Sequence, residues 1–188
     1  MNIDHEKIAK RVIELSGGKD KFNEEMDRKL TLINEKWDQD IDLIGRILRA
    51  HLFVEHYVTE CLVYFNPNLG DLEKARLTFS QKLALFKNYS NDTKELAPGI
   101  KRLNEIRNQL AHSLKAFVTD QDKEVLLSVK YFRYMREAAA KPGVPSNENI
   151  DVLEDFAKHV GMRLASLSDP DSLAKRFEKA ISENSNGT

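Results

Sequence analysis

The sequence predicts an all-α protein, an up-and-down helical bundle with helical extensions at both ends. Three observations carry that expectation. Apolar residues recur three and four positions apart through most of the chain. The eight glycines and five prolines gather mostly at a few places between those periodic stretches. No stretch alternates apolar and polar residues as a half-buried strand would. With 41% hydrophobic residues over 188 positions, the chain can bury one sizeable core, so one domain with extensions is expected.

A first helix over about 4–15 carries Ile8, Val12 and Leu15 and is stopped by Ser16-Gly17-Gly18. A more polar helix follows from about Asp20 to Lys36, and residues 1–37 form an N-terminal arm. The central helix is expected from Asp40 to Phe65, with Ile44, Ile47, Leu48, Val58 and Leu62 on one stripe and Asn66-Pro67-Asn68-Leu69-Gly70 ending it. Asp71 caps the next helix, whose buried side is Leu72, Leu77, Leu83 and Phe86, and Asn88 to Asp92 breaks it. Pro98-Gly99 opens the following helix, because proline suits a first helical turn. A single helix is expected from about Asp122 to Ala140, closing a bundle over 38–140. Lys141-Pro142-Gly143-Val144-Pro145 reads as a linker, and helices over about 148–165 and 169–183 complete a C-terminal extension, 141–188.

Composition narrows the function classes. Twenty-nine basic side chains face thirty acidic ones, for a net charge of −1, so no global field recruits a polyanion and any anion site must be local. One cysteine, Cys61, excludes an intramolecular disulfide and sits on an apolar helix, where an inert buried thiol is expected. The opening mixes both charge signs ahead of no apolar run, unlike a signal peptide, and no run of about twenty apolar residues could span a bilayer. A cytoplasmic protein with no membrane association is expected. No His or carboxylate pair at helical metal spacing is backed by a third ligand, so neither metal nor other cofactor is expected.

The chemistry-bearing residues concentrate around Ile106-Arg107-Asn108-Gln109-Leu110-Ala111-His112. On a helical wheel, Ile100, Leu103, Ile106, Leu110 and Leu114 form the inward stripe. Taking Arg107 as zero at about 100° per residue, the stripe centres near −40°, Asn108 near 100° and His112 near 140°. Arg107 therefore edges the apolar face, while Asn108 and His112 share a polar flank with Lys101, Asn104 and Lys115. Between Gly99 and Phe117 four Lys or Arg residues oppose one acid, Glu105, which suits a phosphate. A histidine to move a proton, an arginine to neutralise phosphoryl oxygens and an amide to orient the imidazole are the equipment of phosphodiester cleavage. RNA needs no metal for this when its 2′-hydroxyl is the nucleophile. On the central helix, His51 and Glu55 are four apart within the inward stripe, where a charge needs a partner; Arg107 and His51 are both candidates to meet Glu55. The same spacings also fit a structural ion pair at Arg107 and a dipole or carbonyl contact at His112. Tyr131 to Arg136 is a further candidate surface for RNA or for a second copy.

Arg107 and Asn108 followed by His112, late in a helix of an all-α chain, resemble the signature of HEPN (higher eukaryotes and prokaryotes nucleotide-binding) domains. The resemblance spans Ile41 to Lys115. It implies a HEPN-type bundle and a metal-independent endoribonuclease, with Arg107 binding phosphate, Asn108 orienting and His112 as general acid and base; Glu55 and His51, read from the inward stripe of the central helix, are expected in support. The resemblance further implies a homodimer with the site between two motif helices and a 2′,3′-cyclic phosphate product, while the basic flank itself makes Lys101, Asn104 and Lys115 the expected RNA contacts. Toxin, stress or antiviral defence roles, with a cognate antitoxin or regulatory partner, follow from the same resemblance. Two positions beyond the histidine, where many toxin members carry tyrosine, this chain has Leu114. The outline HLFVEHYVTECL (51–62), FSQKLALFKNY (79–89) and LNEIRNQLAH (103–112) is also similar to a branch resembling the mannitol operon repressor. That similarity implies the alternative function, a non-catalytic interaction module or transcriptional regulator.

Overall fold

The computed structural model describes residues 4–68, 74–113, 117–169, 171–173 and 175–176, and among these every regular element is a helix. The chain divides into two compact units, Met1–Asp40 and Ile41–Thr188.

The first unit holds α1 (His5–Leu15) and α2 (Lys19–Trp37). The Asp4 side chain accepts from the Lys7 amide at 3.1 Å and caps α1. Gly17 and Gly18 take φ of 83° and 108°, a region that side chains disfavour, and so turn the chain into α2. Neither helix contains a buried residue: Ile8, Leu15, Leu30 and Ile33 are exposed and Trp37 is 84% exposed. Local pairs such as Lys10–Glu6 and Arg11–Glu14, both at 2.9 Å, lie on its surface and contribute little.

The second unit is a helical bundle around α3 (Ile41–Phe65), whose buried face is Ile47, Ala50, His51, Val54, Val58, Cys61 and Leu62. Leu48 lies about 100° round the helix from Ile47 and is 37% exposed, and Ile44 is half-buried, so the stripe expected from sequence is rotated toward His51. Against α3 pack α4 (Phe79–Phe86), α5 (Asn91–Ser113) and α8 (Asn149–Ser168). Helices α6 (Asp120–Leu127) and α7 (Lys130–Ala139) complete the unit, with Leu126 and Phe132 buried. No helix among the described residues is long and apolar enough to cross a membrane. Cys61 is buried on α3, where desolvation pushes its thiol up to about 11.

Several boundaries differ from the sequence expectation, each for a physical reason. The described part of α4 starts at Phe79, where Thr78 and Gln81 form a capping box; Asp71 and Leu72 lie outside the described residues. Helix α5 begins at Asn91, where the Ser90 hydroxyl accepts from the Thr93 amide at 3.1 Å, so Pro98-Gly99 lies inside it. Pro98 removes the amide that would reach the Lys94 carbonyl, but it is on the exposed side, where water can serve that carbonyl. Gly99 is there for close approach, since a Cβ would sit 2.3 Å from the Phe156 ring. The run 122–140 divides at Ser128-Val129: the Ser128 hydroxyl donates to the Val125 carbonyl at 2.7 Å, and Val129 leaves helical geometry with its side chain buried.

The C-terminal stretch beyond residue 141 holds a principal core element. Val152, Leu153, Phe156, Ala157, Val160 and Leu164 of α8 are buried with the apolar face of α3. Arg46 of α3 meets Glu154 at 2.8 Å and also pairs with Asp151, and Arg49 pairs with Glu154. Gly161 admits the Phe53 ring at a distance that a Cβ would close to 2.3 Å.

Candidate functional site

The site is built on α5, whose register decides which polar residues are consumed by packing. Leu96, Ile100, Leu103, Ile106 and Leu110 enter the core. Asn104 shares that face and is 9% exposed, so its amide must find partners inside. It does: its Oδ1 lies 3.2 Å from His51 Nε2, and its Nδ2 donates to the Ser80 hydroxyl at 3.3 Å. His51 is held on its other side by an edge contact with Phe79, ring centroids 4.8 Å apart. One amide thus fastens α5 to both α3 and α4.

Burial depresses the His51 pKa below its usual value; the Asn104 hydrogen bond and the Glu55 carboxylate oppose that shift, and the Arg107 and Lys82 charges reinforce it. A neutral imidazole follows, with its Nε2 proton donated to Asn104. Glu55 Oε1 accepts from Lys82 Nζ at 2.9 Å, and Glu55 Oε2 lies 3.9 Å from His51 Nδ1. The need of Glu55 for a cation is legible in the sequence; its source on α4 was missed. Lys82 sits beside Leu83 on the edge of the apolar α4 face, which is the signal that would have found it.

The end of α5 is different. Arg107 and His112 are exposed and Asn108 is half-buried. Arg107 Nη1 donates to Asn108 Oδ1 at 3.2 Å, which turns the Asn108 amide NH2 away from the arginine. Asn108 thus contacts the guanidinium through its oxygen and keeps its NH2 free of that bond. Asn108 and His112 line one hollow with Arg102, Glu105, Gln109 and Phe117. Arg102 is committed to Asp122 and, at 2.8 Å, to Glu105. The other half-buried arginines are likewise engaged: Arg46 with Asp151 and Glu154, Arg136 with Asp155 at 2.9 Å, Arg163 with Asp92 at 2.7 Å. Arg107 has no ion pair among the described residues.

The structure thus brings Arg107 to Asn108, Asn108 to the hollow of His112, and His51 to Asn104 and Glu55. Lys101 and Asn104 line a neighbouring groove together with Asn108. Lys115, expected to contact RNA, lies outside the described residues. Tyr131 and Tyr134 are exposed on α7, but Tyr131 is covered on one face by the Arg163 guanidinium, 4.9 Å from its ring centroid. No group of three His, Cys, Asp or Glu side chains among the described residues could hold a metal ion.

Chemically, the end of α5 offers an arginine with N–H groups to spare, an amide donor beside it, and an imidazole one turn on. Asn108 and His112 share one hollow, and Arg107, which lines neither that hollow nor the groove, adjoins it through its bond to Asn108; such groups can hold phosphoryl oxygens and exchange a proton. Set against known proteins, the chain matches no family model, no curated sequence and no solved structure.

Proposed function

We propose that the chain is a HEPN-like RNA-binding domain that cleaves RNA without metal by 2′-hydroxyl attack, in a toxin, stress or defence role. The observation that carries the reading is Arg107: an exposed arginine held by Asn108, with no carboxylate partner among the described residues, is a poor structural arginine and a good phosphate ligand.

In this reaction the 2′-hydroxyl loses its proton to a base, the O2′–P bond forms, the P–O5′ bond breaks, and the departing O5′ takes a proton from an acid. The products are a 2′,3′-cyclic phosphate and a 5′-hydroxyl. One imidazole cannot accept and donate in the same step, and His51 is neutral, buried and bonded to Asn104. A second copy supplies the missing histidine, so the reading requires a homodimer in which one His112 acts as base and the other as acid. Arg107 neutralises the charge that builds on the phosphoryl oxygens, and the Asn108 amide donates to them.

The test is incubation of purified protein with RNA in EDTA, comparing wild type with Arg107→Ala and His112→Ala. Wild type is expected to cut, His112→Ala to lose about 10²–10⁴-fold and Arg107→Ala about 10²–10³-fold. Intact RNA with wild type, or equal cutting by all three, would leave the non-catalytic interaction module as the better reading.

A further inference from the structure

Between α4 and α5 runs an open groove of about 1310 Å³ that the cleavage chemistry does not use. Its walls carry Lys87, just past the end of α4, and Lys94 and Lys101 of α5. Lys94 and Lys101 are seven apart, about 10.5 Å along one face at 1.5 Å per residue. Against these three lysines the described residues of the lining offer one carboxylate, Glu105, which is already held by Arg102 at 2.8 Å and approached by Lys101 at 3.8 Å. A chain of almost balanced charge therefore concentrates positive charge in one groove.

The floor of the groove is prepared as well. Ser80 Oγ accepts from Asn104, whose own Oδ1 is held by His51. Ser80 is exposed, and its hydroxyl keeps a hydrogen to donate while its oxygen accepts from Asn104. Ser80 and Asn104 both line the groove, so a hydroxyl and an amide stand among its lysines. At the far end, Asn108 is shared with the hollow that holds His112. The groove thus borders the motif at Asn108.

We propose that this groove holds the sugar-phosphate backbone of single-stranded RNA leading away from the cleavage site, with Lys87, Lys94 and Lys101 meeting successive phosphates and Ser80 donating to the strand. This deepens the proposed function and rests on its assignment of RNA as the ligand. Among the described residues no aromatic side chain lines the groove, so it offers no base-stacking platform and its lysines supply the attraction.

The test uses the intact protein and a labelled 2′-O-methyl single-stranded oligonucleotide, which lacks the attacking hydroxyl and cannot be cut. Affinity is followed by fluorescence anisotropy across a salt series for wild type, Lys87→Gln/Lys94→Gln and the control Lys158→Gln, which lines a different hollow. The double variant is expected to bind more weakly, with a slope of log K against log salt smaller by about 1.4, or roughly 0.7 per lost phosphate contact. The control is expected to match wild type. Both groove lysines are exposed, so unchanged urea midpoints separate lost contacts from lost fold. Equal affinity and slope in the double variant and wild type, or an equal loss in the control, overturns the groove whether or not RNA is cut. A reduced slope in a protein that cuts no RNA upholds the groove and removes the cleavage reading.

Discussion

Two successive stretches of α5, Gly99 to Ile106 and Arg107 to His112, use arginine and asparagine to opposite ends. From Gly99 to Ile106 every polar side chain with any burial is engaged: Arg102 with Asp122 and Glu105, Asn104 with His51 and Ser80. From Arg107 to His112 arginine and asparagine recur and a histidine joins them, but their one mutual bond among the described residues is Arg107 to Asn108. His51 and His112 show the contrast most plainly, the first buried and bonded, the second exposed at the last turn. A residue type therefore carries no function by itself. What separates structure from chemistry here is whether the donors and acceptors are already spent.

This contrast is open to direct attack, beginning where the expected effect is largest. Phe156→Ala removes the ring that closes over Gly99 and is expected to cost about 3–5 kcal/mol in urea unfolding. Gly99→Ala tests the same contact from the other side: Phe156 is fully buried and cannot yield, so a loss of about 1–3 kcal/mol is expected. Gly161→Ala should cost less, because the Phe53 ring it would strike is 40% exposed and free to swing. Equal costs for the two glycines would contradict that ranking. Asn104→Ala leaves His51 Nε2–H buried without its acceptor and is expected to lose about 1–3 kcal/mol of stability.

Acid provides a milder probe of the buried half. Desolvation depresses the pKa of both His51 and His159, and His159 Nε2 is buried without a hydrogen-bond partner. The unfolded chain then binds more protons than the folded one just below the ordinary histidine pKa, 6.5. The stability from keeping these rings neutral is complete above 6.5 and is lost as pH falls through and below it. Urea midpoints at stepped pH should decline there, and less steeply in His51→Asn; an identical pH dependence in that variant would exclude His51 as a source. Smallest of all should be the stability effects of Arg107→Ala and His112→Ala, within about 0.5 kcal/mol of wild type because both residues are exposed.

The sequence made the helices legible because apolar spacing and capping residues are local signals. Helices α1, α2, α3 and α8 follow the expected spans closely. It misled at Pro98-Gly99 and at Ser128-Val129, where tertiary packing decided: the approach of Phe156 explains Gly99, and burial of Val129 explains the break. The weight of α8 in the core was not legible, since periodicity shows that a helix has an apolar face but not which helix receives it. At the site, the wheel placed His112 on the outer flank. It set Arg107 at the core margin, yet a long side chain on that margin can carry its head into water. The partner of Glu55 needed the α3–α4 packing and the groove the α4–α5 packing, although Lys87, Lys94 and Lys101 are spaced by seven in the sequence itself.

The most direct measurement is end-group analysis of RNA incubated in EDTA with wild type, Arg107→Ala and His112→Ala, each first shown to unfold at the same urea concentration. Fragments ending in 2′,3′-cyclic phosphate and 5′-hydroxyl are expected from wild type, with the two variants leaving the RNA intact. Intact RNA in all three reactions, or the same fragments from all three, would contradict the assignment of the α5 end as a cleavage site.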